Sequence, residues 1–234
     1  MRPAPDQSRF SVGLAVFTWM AAVVAGFTGA VIIIAATGHT DTPTKDFPLW
    51  LIATTNIPLW IALLAGAAIV SRYWGTGQVR RDFGLALRPI DLVGLPIGVV
   101  TQVVFVPALY VVVRKLGIDT HSLNEPAKDL AGRAQGVGVA LLVGLVVVGA
   151  PLVEELFFRG LVLRSFQARY NDELALVGSA LLFGIAHFEP LQTFGLVLFG
   201  LIAGACAQRT RRLGMGIMAH AAFNATAVFQ LLRR

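Results

Sequence analysis

Residues 137–160 read VGVALLVGLVVVGAPLVEELFFRG, and this stretch decides the fold. No charged residue occurs before Glu154, so the run is apolar over almost the whole length of a bilayer-spanning helix, which takes about 20 residues. Two acids and an arginine then follow closely. The stretch therefore predicts a membrane-spanning helix with a charged end.

The composition of the whole chain agrees with this prediction. Of its 234 residues, 56% are hydrophobic and only 14% are charged, which excludes an ordinary soluble domain. Several other windows of about 18 or more apolar residues are long enough to span a membrane, and the alternating pattern of membrane strands is absent. The predicted fold is all-α, a polytopic transmembrane helical bundle of about seven or eight spans with an intramembrane polar cavity.

Seven spans can be placed from the apolar runs and the polar connections between them. They are predicted at residues 11–36, 48–71, 91–113, 137–158, 173–188, 190–208 and 213–232. The fifth is short for a full crossing, and Phe188, Glu189 and Pro190 turn the chain at once into the sixth. This pattern predicts a hairpin with its tip at membrane depth, where polar groups are tolerated only beside protein or a wet cavity.

The net charge of +6 would suggest nucleic acid in a soluble protein. Here the basic residues lie in short loops between apolar runs, so they are interpreted as topology determinants that face anionic lipid, and no nucleic-acid partner is expected. Lys and Arg, including Arg2 and Arg9, are more numerous in the loops on the N-terminal side. The predicted location is the cell (plasma) membrane, multi-pass, with a cytoplasmic N-terminus.

Ionisable side chains in membrane helices are costly, so by default they indicate a functional site with partners. Glu155 and Arg159 are four residues apart with the acid first, the favourable order for an ion pair within a helix. Glu154 projects about 100° away around the axis and is left free for chemistry. The alternative is that all three form a charge cluster that snorkels at a helix end.

Further polar residues occur on two other apolar helices. His187 ends the short fifth span, and His220 and Asn224 lie one turn apart on the last span. Taken alone, His187 could be an interior histidine whose hydrogen bonds are satisfied. His220 and Asn224 could be groups that hydrogen-bond to a neighbouring helix, a contact worth about 1 kcal/mol. Together the acids, the arginine, the imidazoles and the amide supply a general base, proton carriers and oxyanion donors, which packing alone does not need.

Three short motifs follow one another along these helices: EExxxR as Glu154, Glu155 and Arg159, FxxxH as Phe183 and His187, and HxxxN as His220 and Asn224. In these motifs the chain resembles the CPBP or Abi membrane peptidases, which include the type II CAAX prenyl endopeptidases and bacteriocin-processing or self-immunity proteins. The resemblance covers roughly residues 137–230. Each motif alone is weak, but three in order within successive apolar helices are specific.

The resemblance implies one integral membrane unit, with N-terminal transmembrane helices at 1–136 and a catalytic core at 137–234. It implies a conical intramembrane cavity in which Glu154 activates a water against a peptide carbonyl and His187 assists or holds that water. His220 and Asn224 would stabilise the oxyanion, with Glu155 and Arg159 in support. The expected partners are the lipid bilayer and a peptide or membrane-protein substrate, whose identity the motifs do not report.

Metal dependence is a separate question. A carboxylate and two imidazoles can bind zinc, but the HExxH pattern of soluble zinc peptidases is absent. Any metal would therefore be held across helices by Glu154, His187 and His220. A glutamate-activated water needs no metal, and we favour a reaction without a cofactor, with zinc or another divalent metal as the alternative.

Two other functions remain open at this point. One is a non-enzymatic scaffold or immunity protein of the same fold that keeps the polar cluster for structure. The other is a small transporter or proton relay, since intramembrane acids and histidines also mark ion paths. The complete set of motifs weighs against the first, and the lack of an inverted repeat or paired broken helices weighs against the second.

Overall fold

The computed structural model describes residues 10–233, which are helical with connecting turns and contain no β-strand. Its helices, in chain order, are α1 (Val12–Ala36), α2 (Leu49–Trp74), α3 (Pro89–Lys115), α4 (Glu125–Gly132), α5 (Val137–Gln167), α6 (Asp172–Ile185), α7 (Pro190–Thr210) and α8 (Gly214–Leu232). Arg2 and Arg9, on which the predicted orientation partly rests, lie outside the described residues, as does Arg234.

Six of these helices, all except α4 and α6, are long and apolar enough to cross a membrane within residues 10–233. Many of their large apolar side chains point outward, for example Phe17, Val24 and Val31 on α1. Such a surface fits lipid rather than water. The predicted all-α membrane bundle is confirmed, and the chain is a multi-pass membrane protein.

The predicted fifth span is present as α6, and it is short as expected. It has 14 residues and is therefore about 21 Å long, less than the thickness of a bilayer core. Asn171 caps its start by accepting a hydrogen bond from the Leu174 backbone N–H at 2.9 Å. The predicted number of seven or eight spans is approximate, since seven is reached only when this short helix is included.

Close packing between helices depends on residues without a side chain. Gly94 and Gly98 on α3 lie against the backbone of Ala219 on α8, so that a Cβ at either glycine would meet main-chain atoms. Gly200 on α7 lies against Ala180 on α6, where a Cβ would come 3.0 Å from the Ala180 Cα, so a small residue lets these two helices pack closely. The α3 contact holds α8 in the place from which it presents its polar residues.

Buried polar contacts fix the ends of these helices. Asp91, at the start of α3, accepts hydrogen bonds from Arg212 Nη2 and from the Arg88 backbone N–H, both at 2.7 Å. Tyr110 near the end of α3 donates its hydroxyl to the Leu191 carbonyl at 2.6 Å. The first contact anchors the beginning of α8, and the second anchors the beginning of α7.

The long helix α5 contains two wide, π-helical turns, at Gly144–Gly149 and at Glu155–Val162. Such turns have i→i+5 hydrogen bonds and occur frequently at functional sites. The second begins immediately after Glu154 and holds Glu155 and Arg159. Because an extra residue per turn changes which way the following side chains point, this segment sets the directions of the charged residues.

Candidate active site

Glu154 lies at the end of a regular α-helical segment of α5 and faces a cavity, with 18% of its side chain exposed. Its Oε2 atom lies 3.7 Å from His187 Nε2 and 3.8 Å from His220 Nε2. The structure thus brings together residues from α5, from the end of α6 and from α8. The separations are too long for direct hydrogen bonds, and Glu154 Oε2 is buried with no hydrogen-bond partner among the described residues.

Glu155 points in another direction and is fully buried. Its Oε1 atom forms an ion pair with Arg159 Nη1 at 2.9 Å, as the four-residue spacing predicted. The same oxygen accepts a hydrogen bond from His220 Nδ1, also at 2.9 Å. This second contact joins residues 65 positions apart and was not predicted from the sequence. It orients the imidazole of His220, with Nδ1–H as the donor to Glu155.

Arg159 is buried between aromatic rings. Its guanidinium carbon lies 4.2 Å from the ring centre of Phe183 and 5.8 Å from that of Phe199. A cation over an aromatic face is stabilised by the ring's quadrupole, and more strongly so where water is excluded. Phe183 is therefore a structural member of the FxxxH motif, because it covers the cation that balances Glu155.

His187 is held at the tip of the α6–α7 hairpin. Its Nδ1 donates to the Phe183 carbonyl at 2.8 Å, which leaves Nε2 of the neutral ring free to accept a proton on the side of Glu154. The next residue, Phe188, has a positive φ of 55° and makes the tight turn that precedes α7. The hairpin predicted from residues 188–190 is present, and it places His187 beside Glu154.

Asn224 lies one turn after His220 on α8 and lines the same cavity. Its Nδ2 donates to the Val146 carbonyl in a wide turn of α5 at 2.8 Å, so one side-chain N–H and the carbonyl oxygen remain for other partners. The bond fixes the amide plane. Asn224 therefore shares the cavity with Glu154, although the structure shows no bond between its side chain and that of His220.

Two cavities meet at Glu154. The larger has a volume of about 520 Å³ and includes His187, His220 and Asn224 in its wall. The smaller, of about 360 Å³, lies between α1 and α2 and also includes Glu154 and His187. Volumes of this size hold a peptide segment or a small ligand, and a concave site with convergent polar groups is the usual form of an active site.

Several polar residues of the cavity walls were not singled out from the sequence. They lie on the helices that precede the motifs or on α7, and include Asn56, Gln102, Tyr110 and Gln192. Each is an uncharged side chain within an apolar run, a signal that is weaker than a charge in the same place. The sequence shows such residues but does not show which of them turn toward the cavity.

A comparison with protein-family models identifies the region that carries this site. Residues 136–226 match the model described as type II CAAX prenyl endopeptidase, Rce1-like. This part of the chain, less than half of its length, is similar to that family. The match confirms the resemblance predicted from the motifs, and the Rce1-like region contains all six polar residues on which that prediction rests. A search of curated proteins and a search of solved structures each found no match.

The distances between the side-chain donor atoms at this site differ from those of a zinc site. In a tetrahedral zinc site with bonds of about 2.0–2.1 Å, neighbouring donor atoms lie about 3.3 Å apart. The distances from Glu154 Oε2 to the two Nε2 atoms, 3.7 and 3.8 Å, are wider than this. Among residues 10–233, no group of three or more His, Cys, Asp or Glu side chains has metal-binding geometry. The arrangement does not fit a zinc site, and the proposed reaction therefore contains no metal-dependent step.

Proposed function

We propose that this protein is an intramembrane endopeptidase that hydrolyses a peptide bond with a water activated by Glu154. The observation that carries the proposal is the position of Glu154 Oε2, at a cavity wall and within 3.8 Å of two imidazole nitrogens from different helices. The Rce1-like match supports a peptidase. The substrate proposed here is therefore a peptide or a membrane protein that reaches the cavity.

Glu154 is the general base of this mechanism. Its carboxylate takes a proton from a water that is also held by His187, whose Nε2 accepts a hydrogen bond when the ring is neutral. The water oxygen then forms a bond with the carbonyl carbon of the substrate, and the carbonyl oxygen becomes an oxyanion. An apolar surround makes each of these electrostatic interactions stronger than it would be in bulk water.

Asn224 and His220 stabilise the oxyanion. The amide of Asn224 has a second Nδ2–H beyond the one bound to Val146, and the fixed amide plane means that this donor needs no reorganisation during the reaction. His220 donates from Nε2 in its doubly protonated form, with Nδ1–H bound to Glu155. The proton on Glu154 then passes to the leaving nitrogen, the C–N bond breaks, and a carboxylic acid and an amine are released, between which the last proton is exchanged to give a carboxylate and an ammonium group.

The test uses the purified full-length protein in liposomes with a panel of membrane-anchored reporter peptides, both prenylated at the C-terminus and unmodified. We expect the wild type to cleave at least one reporter and Glu154→Ala and His187→Ala to cleave it at least about a hundredfold more slowly, with normal expression and unfolding temperature. A wild type that cleaves none of the reporters but still binds a partner would favour the scaffold alternative. Ion flux that requires Glu154 would favour the transporter.

The metal-free mechanism has its own test. We expect cleavage to continue in the presence of a strong divalent-metal chelator, because the proposed reaction needs only the carboxylate and the water. Cleavage that the chelator abolishes and added zinc restores would contradict the metal-free mechanism. It would leave the peptidase function intact and assign Glu154, His187 and His220 to metal binding.

A further inference from the structure

Asn56 and Trp60, on α2, line both cavities together with Glu154 and His187. Among residues 10–233, no other residue is common to the two walls. The four residues therefore form the wall that the cavities share, and two of them belong to the proposed reaction. Asn56 and Trp60 lie outside the Rce1-like match at residues 136–226, so the match assigns them no role.

The position of this part of α2 is fixed by Trp60. Its ring lies directly against Gly149, so that a Cβ at that glycine would meet the ring edge. Gly149 ends the first wide turn of α5, shortly before Glu154. Asn56 lies four residues before Trp60 and thus on the same face of α2. The packing of Trp60 on α5 accordingly places Asn56 beside the segment that carries Glu154.

Asn56 has unused hydrogen-bonding capacity. Its Nδ2 donates to the Ile52 carbonyl of its own helix at 2.7 Å. Within the described part of the chain its Oδ1 accepts no hydrogen bond, and the second N–H of the amide is also free of a protein acceptor. A polar group at membrane depth is tolerated where it lines a cavity, and a free donor and acceptor on one planar amide complement a peptide group.

We propose that Asn56 binds the backbone of the substrate and positions the scissile peptide bond against Glu154. Its Oδ1 accepts a hydrogen bond from a substrate N–H, and its Nδ2 donates to a substrate carbonyl. This inference rests on the proposed peptidase function and adds a residue from the N-terminal helices to the site. Trp60 acts only through packing, by keeping α2 against α5.

The two cavities lie on different sides of the shared wall. The smaller is lined by Val23 and Phe27 of α1 and by Leu63 of α2. The larger is lined by Gln102 of α3 and Gln192 of α7. A peptide held at the shared wall therefore has one flank on the side of α1 and the other on the side of α3 and α7.

The test is a comparison of Asn56→Leu with Thr54→Val in cleavage of the best reporter peptide. Leucine is larger than asparagine, but it has the same branching at Cγ and no hydrogen-bonding group. We expect KM to rise about tenfold and kcat to stay within about twofold, because a lost substrate contact present in both ground and transition states weakens binding alone. Thr54→Val is the matched control, since Thr54 lines neither cavity and its hydroxyl is already bound to the Leu51 carbonyl.

The outcomes separate this inference from the function on which it rests. If Asn56→Leu lowers the unfolding temperature, Asn56→Ala is measured in its place. A variant that folds normally and has the wild-type KM would overturn the role of Asn56 and leave the peptidase intact, as would a fall in kcat alone or an equal effect of Thr54→Val. No cleavage by the wild type would overturn the proposed function and this inference together.

Discussion

The neighbouring residues Glu154 and Glu155 belong to two regions with different properties. Glu155, Arg159 and the Nδ1 side of His220 form what we call the buried ion cluster, in which Glu155 Oε1 binds both other residues and the carboxylate has no exposed surface. Glu154, His187, Asn224 and the Nε2 side of His220 form the cavity face, where Glu154 Oε2 has no hydrogen-bond partner in the described chain. His220 belongs to both regions.

The buried ion cluster has a structural role, and the cavity face has a chemical one. A charge in a dry interior is stable only when an opposite charge or hydrogen-bond donors compensate it, so the buried ion cluster is a fixed unit. A carboxylate with a free oxygen at a cavity can take up a proton or hold a water. The buried ion cluster thus orients one imidazole, and the cavity face uses the nitrogen that the cluster leaves free.

His187→Ala is expected to have a large effect on the cavity face. We expect kcat to fall by about a hundredfold to ten-thousandfold, the usual contribution of a residue that assists proton transfer, with little change in stability because the side chain is partly exposed. Cleavage rates and thermal unfolding in detergent measure the two quantities. His121→Ala, at an exposed histidine in a loop, serves as the control and should retain full activity.

Arg159→Ala is expected to damage the buried ion cluster. Removing the cation leaves Glu155 buried without its ionic partner and should lower the free energy of unfolding by about 3–5 kcal/mol. Denaturation monitored by helical circular dichroism measures the loss. Arg169→Ala removes an exposed arginine that follows α5 and should change stability by less than about 0.5 kcal/mol. Equal stabilities for the two variants would contradict the structural role of the cluster.

Asn224→Ala tests the oxyanion contact. We expect kcat to fall about a hundredfold, as when one preorganised oxyanion donor is removed, while unfolding changes by about 1 kcal/mol or less. Thr226→Val, on the same helix, removes a hydroxyl that is bound to the Ala222 carbonyl and should leave kcat unchanged. If Asn224→Ala keeps its kcat, the amide only links α8 to α5.

Gly216→Ala should have the smallest effect, and it acts on the buried ion cluster from α8. A Cβ at this position would lie 2.9 Å from Glu155 Oε2, so the carboxylate must shift. We expect a loss of about 1–3 kcal/mol in unfolding free energy, as for overpacking in a tight interior. At Gly144 a Cβ would meet nothing within 4 Å, and Gly144→Ala should be neutral or slightly stabilising.

The sequence predicted the elements of this site that depend on local geometry. Membrane helices follow from apolar length, and the ion pair of Glu155 with Arg159 follows from a spacing of four residues. The short α6 and the turn at Phe188 were also predicted, because helix length and the turn residues are local properties.

Contacts between helices that are distant in the chain could not be predicted from the sequence. The bond from His220 to Glu155 depends on how α8 packs on α5, and the close approach at Gly94 and Gly98 that positions α8 involves backbone shape rather than a residue pattern. The wide turn at Glu155–Val162 had no signal in residue type. The same holds for Asn56, whose importance lies only in the wall that it shares with Glu154.

The most direct test of the division between the two regions compares Glu154→Gln with Glu155→Gln, each measured for reporter cleavage and for thermal unfolding. We predict that Glu154→Gln loses cleavage by at least about a thousandfold with an unchanged unfolding temperature. Glu155→Gln should unfold at a distinctly lower temperature, because Arg159 loses its buried partner. Cleavage near the wild-type rate by a folded Glu154→Gln protein would contradict the account.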